Sequence, residues 1–245
     1  MGKIVAIGGG EIRKGRTLSI DREVVALTGR RRPRAMFIPT ASGDATGYAE
    51  SFERVYGRKL GCECDVLYLL GKPPARRAIR ERIAAADLVY VGGGNTLKMM
   101  RRWTFLGVDR ALRSAWRAGT VLSGTSAGAI CWFDNGHSDS MRGYGHKKWS
   151  YIRVSGLGLI AGTVCPHFHH TDRRRDFRKM VRRLGGSGVA LDDGCALEVV
   201  DGQFRILASM RGAGAWTVRR AGRRLIERPV ARRRAFRPLA ELYAT

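Results

Sequence analysis

The pentapeptide Gly124-Thr125-Ser126-Ala127-Gly128 constrains this chain more than any other stretch. It follows a short apolar run, residues 120–123, and leads into Ala127-Gly128-Ala129-Ile130-Cys131-Trp132-Phe133, which reads as a buried helix. Strand, abrupt turn and helix with a serine at the apex make a nucleophile elbow. Glycines two before and two after Ser126 leave room where a Cβ would collide with the tightly folded backbone. The turn lifts the Ser126 hydroxyl clear of the sheet and aims the Ala127 N–H, at a helix start, toward a developing oxyanion. An ordinary glycine-rich turn has the same composition, so the elbow has to be judged by the partners it finds.

The 245 residues fit one large α/β domain, and we read residues 1–245 as such. Apolar runs at residues 3–7, 35–38, 64–70, 87–91 and 120–123 alternate with helical spacing at 17–28, 48–60, 75–85, 96–103 and 109–118. Continuous apolar strands separated by amphipathic helices predict a doubly wound, mostly parallel sheet with helices on both faces. Ligands in such sheets bind at the carboxyl ends of the strands, where Gly8-Gly9-Gly10 and Gly92-Gly93-Gly94 fall. Past residue 185 the strands shorten to 188–191, 196–200, 204–207 and 215–218, with Asp201-Gly202 as a hairpin turn, which predicts an antiparallel C-terminal edge on the main sheet. Residues 134–150 read as a long polar loop after the elbow helix.

The net charge of +24 draws in anions, and eight of the 45 basic residues are lysine, the rest arginine. The arginine runs are scattered along helix faces and turns, and no nucleic-acid-binding module is visible, so specific nucleic-acid binding is not expected. Five cysteines, an odd number lying mostly in apolar stretches, suggest buried thiols in a reducing compartment. With no signal-peptide pattern and no run of membrane-spanning length, a cytoplasmic protein with no membrane partner is expected.

A serine hydroxyl needs a base within hydrogen-bond reach and a carboxylate to orient that base. Of five histidines, His137 and His146 lie in the long loop, and His167, His169 and His170 follow the strand-like Thr163-Val164-Cys165-Pro166. His167, directly after Pro166 at a strand end, is the best-placed base. Cys165, His167 and His169 alternate as metal ligands on a strand would, but no fourth ligand has familiar spacing, so neither metal nor cofactor is expected. Asp139, in Ser138-Asp139-Ser140, and Asp193, in Leu191-Asp192-Asp193-Gly194, compete as orienting carboxylate, with Asp134 a weaker third. Asp193 also reads as a turn residue before glycine. A second oxyanion donor would come from Gly92-Gly93-Gly94-Asn95, which lacks the spacing of a phosphate-binding loop.

Taken together these segments resemble the peptidase E family, serine peptidase family S51, with a class I glutamine-amidotransferase-like fold. The matching residues run in family order: Ala6 to Glu11, Phe37 to Ser42, Val91 to Thr96, Gly124 to Phe133, Ser138-Asp139-Ser140, Cys165-Pro166-His167-Phe168 and Leu191 to Gly194. The resemblance implies Ser126 as nucleophile, His167 as base, Asp139 as third member, with the acidic-Gly position near Asp193 also a candidate, and Gly94 with Ala127 as oxyanion donors. It implies an exopeptidase that takes small peptides with N-terminal aspartate. The alternatives it leaves are a cyanophycinase-like or esterase-type hydrolase, or an inactive relative acting as a basic binding protein. Asn95, Arg174 and Arg175 are the candidate substrate binders, and a homodimer is carried as an open expectation. The chain departs from the family at Phe168-His169-His170, beside the expected pocket.

Overall fold

Strand formation follows the apolar runs closely. In this computed structural model, which describes residues 2–144 and 148–244, β1 (Lys3–Ile7), β2 (Arg34–Ile38), β3 (Glu63–Val66), β4 (Leu88–Val91) and β5 (Val121–Thr125) are all parallel. Their side chains alternate between two cores. Val5, Ile7, Phe37 and Tyr90 face α1 (Leu18–Ala26) and α2 (Thr46–Phe52), where Phe37, Phe52 and Tyr56 stack. Ile4, Ala6, Met36 and Val89 face α3 (Arg76–Ala85), α4 (Thr96–Leu106) and α5 (Val108–Arg117) through Ile83, Trp103 and Leu112. Both faces of the sheet are covered, which is why its strands carry no polar alternation.

The elbow helix α6 is a single turn, Ala127–Ile130, and not the longer helix expected. The chain then enters β6 (Phe133–Ser138), so the first part of the expected 134–150 loop is strand. Its polar composition hid this strand: His137 is buried, Asp134 is exposed and Asn135 half-buried. β7 (Ile152–Ser155), β8 (Ile160–Cys165) and β9 (Ser187–Leu191) continue, with α7 (Thr171–Leu184) linking the last two. His146 lies outside the described residues.

The C-terminal strands divide in a way the sequence pattern did not anticipate. β10 (Cys195–Val200) and β11 (Gln203–Ala208) join β1 antiparallel as the expected edge. β12 (Ala215–Ala221) instead pairs with β9, and β13 (Arg224–Pro229) with β12, in a second six-stranded sheet ordered β13-β12-β9-β8-β6-β7. The short β14 (Arg237–Pro238) completes the eight-stranded main sheet, ordered β14-β11-β10-β1-β5-β4-β2-β3. Short amphipathic strands with hairpin turns carry no signal for which sheet they join, since both offer half-buried edges. The β9–β10 turn therefore crosses from one sheet to the other, and that crossing builds the site. No helix among the described residues is long and apolar enough to cross a membrane.

Candidate active site

Ser126 sits where β5 turns into α6, with φ 55° and ψ −108°. It is one of four non-glycine residues with positive φ among those described, and His167, at φ 54°, is another. Such strain persists only where neighbours enforce it. For Ser126 the enforcement is local. A Cβ on Gly124 would lie 2.5 Å from the Gly128 carbonyl oxygen, and one on Gly128 would overlap the Val91 carbonyl oxygen. Both glycines are required for close approach, as the sequence reading expected.

The three groups converge on the end of β1. Ser126 N–H donates to the Ile7 carbonyl at 3.0 Å, His167 N–H to Gly8 at 3.0 Å, and Gly194 N–H, next to Asp193, to Gly9 at 2.9 Å. Three successive carbonyls thus hold the elbow of the main sheet, the end of β8 and the β9–β10 crossing. The side chains then meet: His167 Nε2 is 2.8 Å from Ser126 Oγ, and His167 Nδ1 is 2.5 Å from Asp193 Oδ1. A Cβ on Gly9 would overlap Asp193 Oδ1 and lie 2.5 Å from the His167 ring. The Gly8-Gly9-Gly10 loop, which the sequence reading placed only at a ligand-binding strand end, is the scaffold of the array.

Burial raises the Asp193 carboxyl, but the His167 hydrogen bond and the charges of His167, His169 and His170 outweigh it and hold the group below the usual carboxylate range. Asp193 is therefore ionised at neutral pH. It fixes the tautomer with the proton on Nδ1 and leaves Nε2 to accept from Ser126. Its neighbour Asp192 faces the other way, accepting from Gly214 N–H at 3.1 Å.

Asp139, the orienting carboxylate implied by the family resemblance, does not reach His167. Its Oδ2 accepts from Arg173 Nη2 at 2.8 Å. Arg173 is 5% exposed and also donates to the His137 carbonyl, and a buried guanidinium of this kind demands a carboxylate partner. Ser138 and Ser140 bond each other and hold the loop to the start of α4. Asp134, the weaker candidate, accepts from Gly162 N–H.

The substrate binders expected from sequence are also placed elsewhere. Asn95 caps α4, accepting from Lys98 N–H at 3.0 Å, and donates to the Ser140 carbonyl at 2.8 Å, so its side chain is committed to the fold. Arg174 pairs with Glu227 and lies over Phe168 and Trp216, and Arg175 is exposed on α7. The helical period puts Arg173, Phe177 and Met180 inward, so it is Arg173 that approaches the site. Cys165 turns onto the buried His137 at 3.7 Å, away from His167 and His169, and no three potential metal ligands cluster among the described residues.

Of the expected oxyanion donors, Ala127 N–H begins α6 and so has no acceptor within its own helix. Gly94, at φ 139°, forms the turn after β4, where a Cβ would overlap the Ala41 carbonyl. Gly93, before it, comes beside Ser126 and donates to the Tyr48 hydroxyl at 3.3 Å. Ser126, His167 and Asp193 line a cavity of about 600 Å³ shared with Arg13, Arg16 and Tyr48, none of which the sequence reading singled out. A second cavity of about 310 Å³, lined by Asp139, Arg142, Tyr151, His170 and Arg173, opens against His167 from another side.

Comparison with known proteins decides the family. The model of peptidase family S51 matches residues 4–207. The chain belongs to peptidase family S51. It is 36% identical over 234 residues to the uncharacterized peptidase YgaJ of Bacillus subtilis, spanning 94% of this chain and 97% of that one. The uncharacterized peptidase Lmo0363 of Listeria monocytogenes is 26% identical over 152 residues, 61% of this chain and 73% of its own. Among solved structures, a peptidase from an acI-B1 actinobacterium superposes with a TM-score of 0.72 at 17% identity over 97% of both chains. A "putative peptidase E protein" from Listeria monocytogenes EGD-e does so with a TM-score of 0.61 at 17% identity, over 94% of this chain and all of that one. The protein is thus an α/β hydrolytic enzyme of a serine peptidase family.

Proposed function

We propose that this S51 member is an exopeptidase of small peptides with an acidic N-terminal residue, and that its catalytic array is Ser126, His167 and Asp193. The observation that carries the proposal is the unbroken hydrogen-bonded line from Ser126 Oγ through both nitrogens of His167 to an ionised Asp193. His167 Nε2 takes the Ser126 proton as Oγ bonds to the scissile carbonyl carbon. The resulting oxyanion would be held by Ala127 N–H, with Gly94 N–H as the second donor because Gly93 N–H is already given to Tyr48, and one such donor is worth ~10²–10³ in rate. Collapse breaks the C–N bond, and the proton on His167 passes to the leaving amine. A water then gives its proton to His167 as it attacks the acyl ester, and when the ester C–O bond breaks His167 returns that proton to Ser126 Oγ. Asp193 stays ionised throughout and stabilises the imidazolium form of its neighbour. Substrate acidity rests on the family resemblance and on the arginines beside the array. Ser126→Ala tests the reading: dipeptide hydrolysis should disappear while thermal unfolding is unchanged, and a fully active variant refutes it.

A further inference from the structure

Two cavities meet at His167, and only one of them contains Ser126. In the mechanism above the acyl half of a substrate lies against the nucleophile, and the leaving amine lies against the base. The 600 Å³ cavity that holds Ser126, Thr125 and Gly93 is then the place for the acyl residue.

Its chemistry is specific. After Gly10 the chain makes one tight turn, Ile12–Lys14, anchored by the buried Ile12 and reversed at Gly15, φ 65°. Arg13 and Arg16, three residues apart, both line the cavity as a result. Glu11, the cavity's acid on that segment, is already paired with Lys14 at 2.8 Å. Neither Arg13 nor Arg16 has a carboxylate within ion-pair distance among the described residues. Deeper in, the Thr125 hydroxyl is buried without a hydrogen-bond partner, although Thr125 is only 4% exposed. Tyr48 accepts from Gly93 N–H but keeps its own proton, because burial pushes its hydroxyl up to about 12. The cavity therefore presents two unpaired guanidinium groups and two hydroxyls beside the nucleophile.

We propose that Arg13 and Arg16 are specificity-determining residues that bind a carboxylate on the side chain of the acyl residue. This rests on the hydrolase reading given above. Planar guanidinium groups grip carboxylates through paired N–H donors, and a carboxamide of the same shape offers no charge to hold.

The test compares two dipeptides that differ only in N-terminal aspartate against asparagine. The wild type should prefer aspartate, and Arg13→Gln/Arg16→Gln should cut that preference in kcat/KM by about 10- to 100-fold, the range for charge-assisted hydrogen bonds. Hydrolysis of the asparagine peptide should fall much less than that of the aspartate peptide, and thermal unfolding should barely change. Arg101→Gln/Arg117→Gln, which removes the same charge from exposed helix positions, should leave the preference intact. An unchanged preference in the first variant overturns the proposal. An equal fall in the control also overturns it, because the long-range field would then be selecting the substrate. A wild type indifferent to the two peptides, in which Ser126→Ala still abolishes turnover, overturns the proposal and leaves the hydrolase reading standing. A wild type inactive on every peptide removes both.

Discussion

Asp193 lines the cavity that holds Ser126 and Asp139 the second cavity, the two meeting at His167, and the sheet junctions around them are built in opposite ways. At the β9–β10 crossing, Asp193 faces an imidazole that can gain and lose a proton. At the end of β6, Asp139 faces a buried guanidinium that cannot. The first pairing leaves a proton to transfer, whereas the second is a fixed charge pair. The partner a carboxylate meets therefore decides its role more than its distance from the nucleophile.

That contrast can be broken by exchange. Asp193→Asn should lower kcat by ~10³–10⁴, because an amide stabilises the wrong tautomer of His167. Asp139→Asn should lower it by less than ~10-fold. Reversed magnitudes in steady-state kinetics would return Asp139 to the array. Gly9→Ala should be nearly as damaging as Asp193→Asn, ~10²-fold or more in kcat, since the new methyl occupies the space of Asp193 Oδ1 and crowds His167. Activity close to wild type in that variant would mean the β1 loop can yield.

Arg173→Gln should act on the other junction. It removes the partner of Asp139 and a donor to the His137 carbonyl, and should cost about 2 kcal/mol in urea unfolding, less than a fully buried pair because Asp139 is 37% exposed. A neutral result would show that the β6–α7 contact stands on Phe177 and its neighbours alone.

The smallest effect expected is on pH. Burial depresses His137 to about 4, against the opposing effect of the hydrogen bond it donates to Asp176. Below a pH of about 6.5 the unfolded chain binds a proton there that the folded chain refuses, so stability falls with acidification down to about pH 4. His137→Gln should flatten that limb of a stability-pH curve, and an unaltered slope would locate the acid sensitivity elsewhere.

Most of the main sheet was legible because its strands are apolar on both faces and its helices keep their period. The sharp turn at Ser126 and the strand end at His167 were legible for a related reason: Gly-x-Ser-x-Gly and Pro166-His167 are local patterns that mark the end of a strand. Asp193 was named as a contender, but its turn setting before Gly194 weighed against it. Gly194 does adopt φ 70°, so the residue is both a turn aspartate and the partner of His167, and the two readings never excluded each other. The partners that Asn95 and Arg174 find within the fold were not legible, because sequence does not show which polar side chains the fold itself consumes. Arg13 and Arg16 were hidden among 45 basic residues, and only the tight turn after Gly10 distinguishes them. The split of the C-terminal strands between two sheets depends on long-range pairing, which no short pattern encodes.

The most direct test is covalent capture of the nucleophile. A fluorophosphonate probe should modify Ser126, located by peptide mass spectrometry, at a rate that falls ~10²-fold or more in Asp193→Asn and by less than ~10-fold in Asp139→Asn. Modification of another residue, or equal slowing by the two substitutions, would contradict the assignment of Ser126, His167 and Asp193 as one working unit.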